Sequence, residues 1–376
     1  MELRFKDFLK QIKATTRAAG QPYWAGFELT PRCNFKCKMC YVCKPPNDKE
    51  VQSRELTAQQ WIQLAKKLRE AGVLIITLTG GEVFIRPDFQ EIYEEIAKMG
   101  FLIKIYTNGA MMTPQIIEWL SKIPPFKVCV TVYGESRDTY QEVTGHADGY
   151  DRTIRAIDGL MAAGIVTHIR TTVIRDNVNK LKLLRKVFLD RKSRFAIIDY
   201  VTPRREGANT DPEGCRLSAE EVIGLEVNIR NLERQERINS GETPILFDGD
   251  DDIEKENSSK GNSILDPTDA FRCGAGKNNL WITWDGRLTP CSLMDQPYTT
   301  ILDKEFSEAW QELKDKCRSI PPCHECSNCA YRATCYSCPA RLFLETGFYD
   351  RPAPYLCETA RLRSEYLHSL NLGESK

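Results

Sequence analysis

Short apolar, β-branched runs recur along the first half of the chain, separated by segments in which apolar residues repeat every three or four positions. Runs of strand length lie at 26–30, 74–80, 101–108, 127–133, 166–173 and 194–201. Segments with helical spacing lie at 56–71, 89–99, 116–120, 150–163 and 178–189. Regular alternation of this kind predicts parallel strands joined by right-handed crossovers. An open or partial barrel is the architecture it favours, with an active site at the carboxyl ends of the strands.

The pattern differs on either side of this alternation. Near the N-terminus, four apolar residues have helical spacing and predict a short helix packed on the barrel: Phe5, Phe8, Leu9 and Ile12. A helix is predicted at 218–234, and the acidic, Ser/Asn-rich stretch 248–262 predicts a mobile linker. We therefore expect four parts: an N-terminal helical segment at 1–24, the barrel at 25–205, a connector and linker at 206–270, and a cysteine-rich domain at 271–376.

Charge and hydropathy exclude several classes of protein. The 376 residues include 52 Lys and Arg against 52 Asp and Glu, so the formal net charge is zero. Such a balance does not favour nucleic acid or an anionic membrane as a partner. No apolar run reaches the length of a membrane span, and the charged N-terminus lacks the apolar core of a secretory signal. We expect a cytoplasmic protein.

Cysteine usage changes this ordinary picture. The chain has 15 cysteines and only 4 histidines. An odd count in a long chain without an export signal does not fit a disulfide scaffold. Clustered intracellular thiols more often bind metal, and thiolates suit zinc or iron–sulfur clusters.

The first cysteine group follows the first predicted strand. Cys33, Cys37 and Cys40 have the spacing Cys-x3-Cys-x2-Cys, and Tyr41 comes directly after them. Three thiolates in a tight loop can hold three irons of a [4Fe–4S] cluster and leave the fourth iron open to a small molecule. Zinc is the alternative, because Cys43 could complete a four-thiolate site.

This loop resembles the signature of the radical S-adenosylmethionine (SAM) superfamily, whose open iron binds the amino and carboxylate groups of SAM. Gly80, Gly81 and Glu82 end the second predicted strand and resemble the family's Gly-Gly-Glu segment, which contacts the SAM amino group. Paired glycines allow a close backbone approach, and Glu82 can accept a hydrogen bond from an ammonium. Placed one strand–helix unit after the cysteine loop, the segment supports the resemblance.

The resemblance implies further SAM contacts at the ends of later strands. With the residues above, the set expected to bind SAM is Tyr41, Gly80, Gly81, Glu82, Asn108, Thr131, Arg170 and Thr172. Relatives often hold the SAM carboxylate with an arginine after the fourth strand. The corresponding stretch here, 142–146, contains none, so that contact is left unassigned. No general acid or base can be named from the sequence.

The second cysteine group lies near the C-terminus and resembles the SPASM extension of peptide-modifying relatives, which holds two auxiliary [4Fe–4S] clusters. The resemblance implies an outer cluster on Cys326, Cys329, Cys335 and Cys357, and an inner cluster on Cys273, Cys291 and Cys338. Many relatives have another cysteine shortly after the one matching Cys273, but 274–279 contains none. The inner cluster therefore has either an open iron or a fourth thiolate from Cys317 or Cys323. The expected fold is α/β: a partial (β/α)6 barrel of the radical SAM type followed by a small SPASM domain.

The function implied is reductive cleavage of SAM to a 5′-deoxyadenosyl radical that oxidises a ribosomally made peptide, forming a thioether or carbon–carbon crosslink. Expected cofactors are SAM and three [4Fe–4S] clusters. Expected partners are a peptide or protein substrate and a flavodoxin- or ferredoxin-type electron donor. About 25 residues precede the barrel, too few for a winged-helix peptide-binding domain, which leaves a separate peptide-binding protein or direct binding to the barrel. The alternatives are a sulfatase-type enzyme maturase, a small-molecule dehydrogenase or epimerase, and a non-enzymatic cluster carrier.

Overall fold

The computed structural model describes residues 5–189, 191, 193–205, 210–240 and 269–373, so the predicted linker at 248–262 lies outside the described residues. Its strands are β1 Trp24–Glu28, β2 Ile75–Thr79, β3 Leu102–Thr107, β4 Lys127–Thr131, β5 Thr167–Thr172, β6 Arg194–Ile198, β7 Asn279–Ile282, β8 Arg287–Thr289 and β9 Thr299–Thr300. Its helices up to the connector are α1 Phe5–Ala19, α2 Lys49–Arg54, α3 Ala58–Glu70, α4 Phe89–Lys98, α5 Pro114–Lys122, α6 Arg137–Thr144, α7 Gly149–Ala162, α8 Leu181–Leu189, α9 Pro212–Cys215 and α10 Ala219–Ser240. The C-terminal helices are α11 Phe306–Arg318, α12 His324–Ser327, α13 Pro339–Thr346 and α14 Pro354–Gly373.

The first six strands form a parallel sheet in sequence order, β1 to β6, with helices between them. This confirms the partial (β/α)6 barrel. Outward-facing residues such as Ile76, Ile105 and Val130 are fully buried under the helices. On β5 the alternate positions, including His168 and Arg170, are only partly buried. Because side chains alternate across a strand, these β5 positions face the inside of the barrel and keep some exposure there.

The boundaries differ from prediction where local signals are weak. The helix expected at 178–189 divides into a 3-10 turn, Val178–Lys180, and α8. The helix α6 was not predicted, because its segment is mostly polar and only Tyr140 and Val143 supply an apolar side. Ser136 caps α6, and Gly145 ends it in the left-handed region at φ +77°.

The sheet continues into the cysteine-rich part of the chain. Strand β7 pairs in parallel with β1, and β8 and β9 follow antiparallel. A turn at Gly286, with φ +87°, joins β7 to β8 in a hairpin. Trp281 lies over Gly26, where a Cβ atom would come within 1.9 Å of the indole. A glycine in β1 therefore makes room for the ring that joins the two parts.

The N-terminal helix packs beneath the barrel as expected. Leu9 and Ile12 contact a small buried cluster that includes Trp24 and Trp281. Phe5 and Phe8 are 49% and 41% exposed, so only half of the predicted apolar side is buried.

Candidate active site

The first cysteine loop leaves the end of β1 and is held by its own backbone. The amide of Cys33 donates to the Lys44 carbonyl over 3.0 Å, and the amide of Lys44 donates to the Pro31 carbonyl over 2.8 Å. These two bonds close the loop at its base. The amides of Lys36 and Lys38 donate to the carbonyls of Thr144 and Val143, each over 3.0 Å. The arginine-free stretch 142–146 therefore anchors the loop through main-chain carbonyls.

A buried charged cluster lies below the loop. Glu55 accepts from Arg32 over 2.7 Å and 2.9 Å, and the side chains are each 6% exposed. Arg86 also approaches Glu55 at 3.5 Å and donates to the carbonyls of Leu29 and Leu56, both over 2.9 Å. These bonds fix the chain where it enters the loop.

The loop brings four thiols together. Cys33, Cys37 and Cys43 are buried, and Cys40 is partly buried. Cys43 hydrogen-bonds with both Cys33 and Cys40, and its Sγ lies 3.1 Å from the Phe35 carbonyl oxygen. Burial and the neighbouring Cys40 raise the pKa of Cys37, although a hydrogen bond with Tyr133 opposes this. These shifts favour the thiol form, so binding iron would release protons.

The donor set fits an iron–sulfur cluster better than a single ion. Within the described ranges, no three His, Cys, Asp or Glu side chains converge on one ion position. A [4Fe–4S] cluster does not require this, because each cysteine binds a different iron. Two N–H groups also point at Cys33 Sγ: the Phe35 amide at 3.4 Å and Asn108 Nδ2 at 3.7 Å. Such donors stabilise thiolates bound to iron.

The two glycines after β2, Gly80 and Gly81, lie close against the backbone that leads into the cysteine loop. A Cβ atom on Gly80 would lie 2.2 Å from the Thr30 carbonyl oxygen, and one on Gly81 would lie 2.3 Å from that of Arg32. The Gly81 amide donates to Thr30 over 2.6 Å. The pair therefore lets two strand ends meet, and its contact with SAM remains a prediction.

Glu82 joins the ends of β2 and β3. Its carboxylate accepts from the Thr107 hydroxyl and the Asn108 amide, each over 2.8 Å, and from the Phe84 amide over 3.2 Å. Burial raises the pKa of Glu82 to about 7, although these hydrogen bonds oppose the shift. Asn108 in turn donates to Asn34 Oδ1 over 2.8 Å, so Glu82 connects to the cysteine loop through Asn108.

The other residues expected to contact SAM lie at the same end of the barrel. Thr131 and Thr172 end their strands, and Thr131 is in register with Arg170. The guanidinium of Arg170 lies 4.7 Å from the centre of the Tyr106 ring. Tyr41 directly follows Cys40, and the Arg205 guanidinium lies over its ring. The structure brings these residues to one edge, and each SAM contact remains a prediction.

The inner face of the barrel is positively charged. Lys104 and Lys127 are buried and face each other across β3 and β4. Burial, together with the charges of Lys104, Arg194 and Arg170, lowers the pKa of Lys127 to about 7. A cationic interior attracts anionic groups.

Two functional candidates were missed from the sequence. Glu28 at the end of β1 receives two bonds from Arg205, over 2.7 Å and 2.9 Å, and one from Trp281 Nε1 over 3.1 Å. Arg205 also donates to the Ser292 carbonyl over 2.7 Å, and its guanidinium lies 5.5 Å from the Tyr41 ring centre. Arg205 therefore contacts the residue after Cys40 and the residue after Cys291. A carboxylate in an apolar strand was the only signal in the sequence.

The C-terminal cysteines form two groups. Cys326, Cys329, Cys335 and Cys357 are partly or fully exposed. Cys323 lies with this group, because its Sγ accepts a hydrogen bond from the Cys326 amide over 3.4 Å. Burial, together with the charges of neighbouring thiols that include Cys323, raises the pKa of Cys357. The second group comprises Cys273, Cys291 and Cys338, which pack against the main core. The structure keeps apart the outer and inner sets implied by the resemblance, and their ligation of iron remains a prediction.

An open parallel barrel with a three-cysteine loop after β1 agrees with the radical SAM arrangement that the resemblance led us to expect. The sequence agrees: residues 27–187 match the family model described as "Radical SAM superfamily". Residues 27–187 therefore form a radical SAM domain, a kind of domain that uses SAM and an iron–sulfur cluster, and the cysteine-rich C-terminal region fits a SPASM domain.

Relatives and solved structures extend the match beyond that domain. The chain is 25% identical over 348 residues to the AdoMet-dependent heme synthase of Methanosarcina barkeri, covering 89% of this chain and 96% of the relative. It is 24% identical over 290 residues to the sporulation killing factor maturation protein SkfB of Bacillus subtilis, covering 76% of this chain and 64% of SkfB. The fold matches Streptococcus suis SuiB bound to S-adenosylmethionine with TM-score 0.69 at 16% identity, over 95% of this chain and 83% of SuiB.

Among helices in the described parts of the chain, none combines the length and the apolar character needed to cross a bilayer.

Proposed function

We propose that this radical SAM enzyme oxidises a ribosomally made peptide and forms a thioether or carbon–carbon crosslink. The observation that carries the proposal is the layout of two cysteine regions on one sheet, because β7 of the cysteine-rich part pairs directly with β1 of the barrel. Clusters held by the C-terminal cysteines would then lie on the same sheet as the barrel and would supply an electron acceptor for a substrate radical. Two relatives point the same way by name: SkfB, and the subtilosin biosynthesis protein AlbA, 31% identical over 159 residues.

The chain's own residues hold and shield the reacting groups. Cys33, Cys37 and Cys40 hold the first cluster, which with SAM supplies a 5′-deoxyadenosyl radical that abstracts a hydrogen atom from carbon. The donors at Phe35 and Asn108 stabilise the Cys33 thiolate. A flavodoxin or ferredoxin supplies the first electron.

Peptide entry fits the open inner face of the barrel. The partly buried positions on β5 face this space. The fold resembles that of SuiB bound to its precursor peptide SuiA, with TM-score 0.70 over 93% of this chain, at 17% identity. The peptide binds the barrel directly or arrives on a separate peptide-binding protein.

A second candidate is oxidation of a porphyrin in haem synthesis. The relatives named heme synthase align along most of both chains, whereas AlbA is covered over only 34% of its length. The cationic inner face at Lys104, Lys127 and Arg170 also suits a substrate with carboxylate side chains.

The test is the mass of a candidate substrate after reaction. A short cysteine-containing peptide encoded beside this gene would be incubated without oxygen with reduced enzyme and SAM, and a carboxylated porphyrin would be treated in parallel. A peptide lighter by two hydrogens per new bond supports the proposal, and fragmentation locates the bond. The change should vanish in Cys37→Ala and persist in Cys215→Ala, a matched loss of a buried thiol that bonds the Pro212 carbonyl. An unchanged peptide beside an oxidised porphyrin would replace the peptide proposal with the second candidate.

A further inference from the structure

Two buried cysteines, Cys317 and Cys323, lie outside the expected ligand sets. The structure places each of them with a different C-terminal thiol group. Cys317 lies in the last turn of α11, and Cys323 directly precedes α12. They are six positions apart in the sequence and have similar exposure, 4% and 8%. The sequence left either one available to complete the inner group.

Cys317 lies against the turn that follows Cys273. A Cβ atom at Gly276 would come within 2.6 Å of Cys317 Sγ and 3.0 Å of its Cβ. Gly276 has φ +65°, and its amide donates to the Asn279 carbonyl over 3.1 Å. The turn is therefore tight and without a side chain at the point where the Cys317 sulfur reaches it. This is the stretch, 274–279, that contains no cysteine of its own.

Packing assigns the two cysteines to different groups. Cys317 belongs to the main buried core, against which Cys273, Cys291 and Cys338 also pack. Cys323 belongs to a separate small cluster, against which Cys326 packs. Its sulfur accepts a hydrogen bond from the Cys326 amide.

Electrostatic neighbours agree with this division. Cys317 lies within electrostatic range of Cys273. Tyr349 lies near both Cys317 and Cys291. Cys326 instead has Cys323 as its hydrogen-bonded thiol neighbour.

We propose that Cys317 is the fourth protein ligand of the inner auxiliary [4Fe–4S] cluster, alongside Cys273, Cys291 and Cys338. The inference rests on the proposed function, because it requires auxiliary clusters. On binding, the Cys317 thiol loses its proton to solvent and forms one iron–sulfur bond, so the last turn of α11 supplies the thiolate that the loop after Cys273 lacks. All four irons are then held by protein. The inner cluster accepts electrons and has no iron free to bind a substrate thiolate.

The experiment uses the full chain with Cys33, Cys37 and Cys40 changed to alanine, so that only auxiliary clusters give signals. Cys317→Ala and the matched Cys323→Ala are each introduced into this protein. Iron content and electron paramagnetic resonance of the reduced protein are measured. Cys317→Ala should lose or alter one of the two cluster signals and keep the other, which also shows that the domain has folded. Cys323→Ala should leave the inner signal unchanged.

A second measurement tests directly for an iron that lacks a protein ligand. Cyanide, which binds an iron lacking a protein ligand, is added to the three-alanine protein and to its Cys317→Ala form. The spectrum should change only in the latter. A change in the three-alanine protein itself, or full iron with unaltered signals in Cys317→Ala, would overturn this inference alone. A three-alanine protein without auxiliary iron would overturn the two-cluster part of the proposed function and this inference with it.

Discussion

The first cysteine loop and the outer C-terminal cysteines are both predicted to bind an iron–sulfur cluster, but the protein supports them in different ways. In the first loop, Cys33 and Cys37 are buried, and backbone bonds tie the loop to 44 and to 143–144. Among the outer cysteines, Cys329 and Cys357 are exposed. The bonds near them are mostly short-range, such as the Arg332 amide to the Cys329 carbonyl over 3.1 Å.

The difference predicts how far each region would depend on a bound cluster. Contacts with the barrel shape the first loop, as would suit a site that also positions SAM and substrate. The outer group has less protein around it, so we expect a bound cluster to supply more of its order. The two regions meet at Arg205, which contacts Tyr41 and the Ser292 carbonyl.

The largest expected effect on the free energy of unfolding comes from removing the Arg205 contact between the two regions. Arg205→Ala leaves Glu28 charged in a site where its side chain is 2% exposed. We expect a loss of about 3–5 kcal/mol in the free energy of unfolding, because breaking a buried pair strands a charge. Urea denaturation measures it. The double variant Glu28→Gln with Arg205→Met should lose less, and equal losses would contradict the buried-charge explanation.

The next largest effect should come from removing iron, to which we expect the two cysteine regions to respond differently. After chelation, we expect backbone amides at 326–335 to exchange hydrogen about a hundredfold faster, the effect of losing a ligand present at about a hundred times its dissociation constant. Amides of Cys33, Lys36 and Lys38 should change far less, because protein carbonyls accept their hydrogen bonds. Hydrogen exchange with mass spectrometry reports both segments in one sample. An equal increase in exchange rate in the two segments would show that the first loop also depends on its cluster.

A smaller effect should follow from crowding the first loop. Gly81→Ala places a Cβ 2.3 Å from the Arg32 carbonyl oxygen, so the loop must shift. We expect a cost of about 1–3 kcal/mol and weaker SAM binding, measured by thermal denaturation and calorimetry. Gly224→Ala is the matched control, because nothing lies within 4 Å of its Cβ position in α10. That variant should be as stable as the parent or more so.

The smallest effect concerns one donor to sulfur. Asn108→Ala removes the Nδ2–H group 3.7 Å from Cys33 Sγ. We expect a lower midpoint potential for the first cluster, by an amount near the 1 kcal/mol of about one hydrogen bond, because the donor stabilises the more negative reduced state. Spectroelectrochemistry should find the auxiliary potentials unchanged. A shift in all potentials would indicate a general loss of structure instead.

Local patterns in the sequence determined the barrel and the identity of its first site. Strand–helix alternation depends on neighbouring residues, so the six parallel strands were predictable to within a few positions. The spacing of Cys33, Cys37 and Cys40 within one loop also needed no distant contact. The short helix α6 escaped prediction because only Tyr140 and Val143 among its residues are apolar, too few to show a repeat.

Tertiary structure alone decided how distant segments meet. The pairing of β7 with β1, the bond between Glu28 and Arg205 across 177 positions, and the placement of Cys317 beside Gly276 all join segments far apart in sequence. Nothing local distinguishes Cys317 from Cys323, because each lies at an end of a helix in a similar setting. What separates them is which buried surface each helix covers, and that is settled only when the whole chain packs.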